Sequence, residues 1–179
     1  MTRLTGIVLA AGAGVRAGGP KALLRMPDGT PWLELACAFL AASGCDRVVA
    51  VLGADARIAR TLVPAGAEVL VAANWAEGMS ASLRAGLAAA TGEAALVTLV
   101  DLPELPAAAG LRVMAGSGAL RQATFGGAPG HPVYLSADHW DAAAASLTGD
   151  HGARRYLVEH GVTEIECGDL GNGLDRDFG

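Results

Sequence analysis

Short runs of aliphatic and β-branched residues alternate along the chain with longer stretches whose apolar positions fall on one helical stripe. Thr5-Gly6-Ile7-Val8-Leu9 is the first such run and reads as a buried strand. Arg47-Val48-Val49-Ala50-Val51-Leu52 is nearly continuous, the pattern of a strand covered on both faces. Glu68-Val69-Leu70-Val71 is the third, and Ala95 to Val100 the fourth, closing on Asp101-Leu102-Pro103. Between them, Leu33 to Ala42 predicts an apolar helix stopped at Ser43-Gly44, and Asp55 to Leu62 a short one ahead of Pro64. Met79, Leu83, Leu87 and Ala90 share a stripe within Gly78 to Ala90, which assigns Met79, Leu83 and Leu87 to the core. A helix, two strands and two further helices follow up to about His160, and Glu164-Ile165-Glu166 reads as a last short strand. Alternation of this kind predicts an α/β fold with a mostly parallel sheet covered on both faces, a three-layer Rossmann-like arrangement. No repeat, low-complexity linker or charge run divides residues 1–179, so a single domain is expected.

The first connection stands apart from this pattern. Leu9-Ala10-Ala11 leads into Gly12-Ala13-Gly14-Val15-Arg16-Ala17-Gly18-Gly19-Pro20-Lys21, four glycines in eight positions followed by fixed positive charge. Backbone of this kind approaches a ligand closely, and Arg16 and Lys21 supply what a polyphosphate needs. The spacing misses the dinucleotide pattern G-x-G-x-x-G by one residue, and Lys21 between Pro20 and Ala22 does not make a P-loop ending. On these residues alone, a plain glycine-rich connection stays open beside a phosphate-binding turn. In parallel sheets ligands bind beyond the carboxyl ends of the strands, so this turn and Asp101 are expected to share one crevice.

Composition narrows the classes. Hydrophobic residues make up 52% of the chain and charged ones 17%, with a net charge of −5, so there is no basic stripe for nucleic acid or an anionic membrane. No run approaches a membrane span, and the apolar stretch Gly6 to Ala11 is too short for a signal-peptide core. Cys37, Cys45 and Cys167 are odd in number and lack metal-ligand spacing, which suits a reduced, cytoplasmic protein.

Four further stretches carry polar chemistry. Asp101 at a strand's end is placed either to hold a metal or to cap the following segment. Ser80 and Ser82, in Asn74-Trp75-Ala76-Glu77-Gly78-Met79-Ser80-Ala81-Ser82-Leu83, offer hydroxyls beside first-turn N–H groups or simply cap the helix. His131, between Gly130 and Pro132, reads as a turn residue able to donate to an anion, or as a structural histidine. Asp150 and Arg154 follow in Thr148-Gly149-Asp150-His151-Gly152-Ala153-Arg154, with Arg154 and Arg155 near a helix start. His139, His151 and His160 are read as surface residues.

Taken together, these motifs resemble those of the sugar-nucleotide and molybdenum-cofactor nucleotidyltransferases, over nearly the whole chain. The first turn is similar to L-A-[AG]-G-x-[GS]-x-R-[ML]-G-x-[PD]-K, with Ala17 where the family has Met or Leu. Residues 74–87 resemble N-x-x-x-G-M-S-x-S-L-x-x-G-L, and Val97 to Pro103 the metal-binding V-x-L-x-D-x-P. Gly127 to Pro132 and Gly149 to Arg154 resemble G-x-x-G-H-P and G-D-x-G-A-R, which mark the molybdopterin branch. The resemblance implies a GT-A-like nucleotidyltransferase fold and transfer of CMP from CTP to a molybdopterin monophosphate, with pyrophosphate released. It implies Leu9, Ala10, Ala11, Gly12, Gly14, Arg16, Lys21, Ser80 and Ser82 on the nucleotide, with Arg16, Lys21 and Asp101 serving catalysis. His131, Asp150 and Arg154 would meet the acceptor, and Mg²⁺ would sit at Asp101 with Asp175 or Asp177. Ala11 matches the cytidylyl branch, where guanylyl members carry Gly. The tail departs: Asp175-x-Asp177 fits, but Phe178-Gly179 replaces Thr-Pro, which leaves the placing of both carboxylates without its usual support. Another phosphorylated acceptor, such as a sugar phosphate or phospholactate, stays open. So does a nucleotide-binding accessory role toward a molybdenum hydroxylase, which would otherwise receive the product.

Overall fold

The computed structural model describes residues 3–15 and 18–176. Seven strands form one sheet in the order β3-β2-β1-β4-β6-β5-β7. They are β1 Leu4–Ala10, β2 Arg47–Leu52, β3 Ala67–Val71, β4 Ala94–Leu99, β5 Leu120–Phe125, β6 Ala128–Ser136 and β7 Thr163–Glu166. β1 pairs in parallel with β2 and β4, β2 with β3, and β5 with β7, whereas β6 runs antiparallel to both β4 and β5. Among the described residues six α-helices cover it: α1 Trp32–Ala42, α2 Ala56–Ala59, α3 Met79–Ala89, α4 Ala107–Ala115, α5 Trp140–Ser146 and α6 Arg154–Glu159. The expected helix at 55–62 is split, α2 giving way to a 3₁₀ turn over Arg60–Leu62.

Alternation along each strand sends successive side chains to opposite faces. Val8, Ala50, Leu52 and Leu96 join Leu33, Cys37, Leu40 and Val113 on one side. Ile7, Leu9, Val49, Val51 and Val97 join Leu83, Leu87, Ala143 and Leu157 on the other. Two glycines let the layers close on β1. A Cβ on Gly6 would lie 2.9 Å from the Leu40 side chain, and one on Gly86 2.8 Å from that of Ile7. Among the described residues no helix is long and apolar enough to cross a membrane.

The order of strands places the site. From β1 the chain moves outward through β2 and β3, then returns to the other side of β1 as β4. The connections therefore part company at the carboxyl ends of β1 and β4, where Leu9 stands level with Leu99. A sheet that reverses direction in this way leaves a crevice there. β4 ends at Leu99, so Asp101 lies in the turn two residues beyond and not directly at the end of the strand.

Candidate active site

Beyond β1, Ala11, Gly12 and Gly14 line a crevice of about 1040 Å³ together with Leu9, Ala10, Lys21, Trp75, Ser82, Asp101, Asp150 and Asp175. The loop closes on itself through Gly19 N–H to the Gly14 carbonyl, 3.1 Å. Gly14 has φ 58°, and a Cβ there would fall 1.8 Å from the Gly19 oxygen. Gly12 is different. It has no positive φ and, among the described residues, no atom within 4 Å of an added Cβ, so nothing there calls for glycine. Its open side belongs to the crevice wall, a place where a ligand can meet bare backbone. Arg16 lies outside the described residues.

Lys21 opens a 3₁₀ turn over Lys21–Leu23 and reaches across the crevice to Asp101, Nζ to Oδ2 at 2.9 Å. The pair is only 20% and 15% exposed. The other Asp101 oxygen, Oδ1, is buried and has no hydrogen-bond partner among the described residues. An unsatisfied buried carboxylate oxygen is costly, and a cation beside it removes that cost. Asp175 lines the same crevice. Its neighbour Arg176 donates its backbone N–H to the Asp101 carbonyl at 2.9 Å, so the tail is tied to the site despite lacking Thr-Pro. No group of three or more potential metal ligands occurs among the described residues. Asp101 and Asp175 are nonetheless the donor set Mg²⁺ takes, one or two carboxylates with substrate phosphates and water completing the shell. Asp177 lies outside the described residues.

The start of α3 and the 148–151 loop meet at Gly78. With φ 114°, Gly78 presses so close that a Cβ would lie 2.4 Å from Asp150 Oδ1. The Ser80 N–H donates to the Gly149 carbonyl, 3.1 Å. That contact corrects the expectation for Ser80, whose first-turn N–H is already engaged and whose side chain is buried outside the crevice lining. Ser82 does reach the lining. Met79 also departs from expectation: it is 40% exposed, because as the first residue of α3 it stands at the crevice rim, while Leu83 and Leu87 are core.

A second cavity of about 220 Å³ adjoins the first, sharing Leu9, Met79 and Leu99. Its walls are mainly aliphatic, with Gln122, His131 and Arg154 as its polar members. His131 is in strand β6 rather than in a turn. The β4–β6 pairing runs to Val97 opposite Val133, and the same register sets His131 level with Leu99. Gly130-His131-Pro132 falls between two blocks of β5–β6 pairing, where a Pro without an N–H is tolerated. Burial lowers the His131 imidazolium pKa to about 4, opposed by the Asp101 charge. At neutral pH it is therefore a neutral donor or acceptor, and the cation of this cavity is Arg154, the exposed first residue of α6. Arg155 instead pairs with Glu159 at 2.7 Å. His151 is exposed as expected, but His139 is half-buried and bonds the Tyr156 hydroxyl at 2.8 Å, while His160 stacks on the Tyr156 ring at 3.9 Å.

Residues 6–164 match the model of the MobA-like NTP transferase domain. The chain belongs to that family. This MobA-like chain is 37% identical over 190 residues to the nicotine blue oxidoreductase of Paenarthrobacter nicotinovorans, covering 97% of itself and 92% of that protein. It is 28% identical to Rv0371c of Mycobacterium tuberculosis H37Rv, with a TM-score of 0.83 and coverage of 98% and 93%. A structure of Rv0371c in complex with manganese gives a TM-score of 0.78 at 26% identity, covering 93% and 89%. The family and the mostly parallel nucleotidyltransferase fold thus agree with the motifs. Trp75 and Gln122, which line the two cavities, are not singled out by those motifs. For Gln122 the available signal is a polar side chain inside the strand Leu120–Phe125, where it donates to the Gly130 carbonyl at 3.1 Å.

Proposed function

We propose that the chain transfers a nucleotidyl group, CMP from CTP, to a phosphorylated acceptor of the molybdopterin type and releases pyrophosphate. The observation that carries this reading is the Lys21–Asp101 pair at the floor of a glycine-walled crevice, with Asp101 Oδ1 left for a cation. The acceptor's phosphate oxygen attacks the α-phosphorus, the α–β bridging P–O bond breaks, and pyrophosphate leaves with the electron pair. A phosphomonoester has a second pKa near ~6 and arrives largely ionised, so no side-chain base is needed. What the chain supplies is alignment and charge. The Gly12 and Gly14 loop, Ala11 and Ser82 bound the nucleotide, with Lys21 on its phosphates. Asp101 and Asp175 would hold Mg²⁺, which when bound neutralises triphosphate charge; the manganese complex of Rv0371c supports a divalent ion. Arg154 would meet the acceptor's anion, and neutral His131 and Gln122 its uncharged polar edge. Asp150 lines the crevice where it packs against Gly78.

The relative named nicotine blue oxidoreductase favours a second reading, supported by the aliphatic second cavity. In it the crevice would hold a reduced nicotinamide dinucleotide, which would supply the hydride for an oxidised aromatic in the second cavity, with a proton from water completing the reduction. One set of assays separates the two. Pyrophosphate release from CTP and Mg²⁺ with molybdopterin, sugar phosphates or phospholactate supports transfer. Loss of reduced-nicotinamide absorbance with a quinonoid dye, and no pyrophosphate, supports reduction. CTP binding with neither product supports an accessory role for a molybdenum hydroxylase.

A further inference from the structure

Two residues that no motif specifies join the stretches carrying two of this crevice's carboxylates, Asp101 and Asp175. Arg176 places its guanidinium on Glu104, Nε to Oε2 at 2.9 Å and Nη2 to Oε1 at 2.8 Å, a two-point fork. The same residue's backbone N–H is on the Asp101 carbonyl. Glu104 lies three residues beyond Asp101 in the turn that leaves β4, and Asp175 directly precedes Arg176. One side chain thus fastens the Asp175 segment to the turn that carries Asp101. Upstream, Gly173 lies flat on the Phe125 ring, where a Cβ would come within 2.2 Å, so the tail has a second anchor before it reaches the crevice.

Energetics argue against a stabilising role for the fork. Its members are 35% and 62% exposed, and pairs at such exposure contribute little to global stability. Its geometry is nevertheless specific, since a planar guanidinium meets a carboxylate in one orientation. We infer that Glu104 and Arg176 are positioning residues that set Asp175 against Asp101, so that the two carboxylates hold one divalent cation. The inference rests on the metal role assigned above to Asp101 and Asp175.

The test is Mn²⁺ titrated into the full chain, with and without CTP, and read by the loss of the free-ion paramagnetic resonance signal. Melting temperature is followed in parallel. Outer-shell partners of a metal site typically contribute 10–100-fold in affinity. Glu104→Gln and Arg176→Ala are each expected to weaken Mn²⁺ binding by roughly 10-fold at an unchanged melting temperature. The charge-swapped double variant E104R/R176E restores much of the loss because it re-forms the pair, and the unchanged melting temperature of the single variants is what a merely structural contact would not give. Asp101→Asn and Asp175→Asn serve as the reference. If both abolish binding while Arg176→Ala binds Mn²⁺ like the parent, the positioning role is overturned and the metal site stands. If Asp101→Asn binds as the parent does, or the parent binds no Mn²⁺ even with CTP, the metal site itself falls and the inference with it.

Discussion

Lys21 is the residue whose loss separates binding from folding. It lies outside the apolar pattern and offers charge to the crevice, so Lys21→Ala removes a charge-assisted contact worth roughly 1.5–3 kcal/mol. Nucleotide use, measured as kcat/KM for pyrophosphate release, is expected to fall by about one to two orders of magnitude with the fold intact by circular dichroism. Asp101→Asn keeps the shape but removes the charge. On the metal reading, turnover falls by orders of magnitude and the response to a Mg²⁺ titration flattens. A capping Asp gives the opposite result, because Asn caps about as well as Asp. Residues such as Gly12, Lys21 and Asp101 were legible because each sits in a short contiguous motif at the end of an apolar run. Glu104 and Arg176 were not, since 72 positions part them and neither stretch has a pattern pointing to the other. The same holds for Met79, whose place on the helical stripe says core while its position at the helix start puts it on the rim.

At the scale of elements, β7 matters more than its four residues suggest. Its last residue, Glu166, takes hydrogen bonds from Thr124 Oγ1 and from the backbone N–H groups of Gly126, Gly127 and Gly168, at 2.8–3.1 Å. Those contacts lower its pKa from 4.5 to about 2. The carboxylate thereby pins the β5–β6 turn, and β6 in turn carries His131 to the second cavity. A carboxylate depressed in the folded chain contributes stability that is fully present above pH 4.5 and is lost as pH falls through about 2. Melting temperature measured against pH should therefore decline over that window in the parent. Glu166→Gln should melt lower at neutral pH and show a flatter acid limb, because its amide N–H₂ faces donors. Strands β1, β2 and β4 were readable because a parallel strand buried on both faces is one apolar run, and the half-exposed edge strand β3 still carries a short one. β6 was less so: Gly130-His131-Pro132 carries turn residues, and only the unpaired gap in the ladder explains why they sit in a strand.

For the whole molecule, strand order explains why one end of the sheet collects the chemistry. Five stretches spread from residue 9 to residue 175 converge where the connections from β1 and β4 part, while the aliphatic faces are spent on the two helical layers. That convergence has a thermodynamic corollary in the Lys21–Asp101 contact. On the proposed reading, each of these charges is claimed by a different visitor, the ammonium by phosphate and the carboxylate by a metal. A metal arriving alone at Oδ1 must share the carboxylate's charge with the ammonium on Oδ2 and is repelled by it, and a triphosphate arriving alone must strip the carboxylate of its partner and then face it. Arrival together leaves every charge matched. The crevice then behaves as a coincidence detector, and reciprocity requires the metal to tighten the nucleotide by the same factor as the nucleotide tightens the metal. Titration calorimetry of CTP at rising Mg²⁺, and of Mn²⁺ at rising CTP, should return equal coupling factors. In Lys21→Ala the carboxylate has lost its internal rival, so Mn²⁺ alone should bind more tightly while the coupling shrinks.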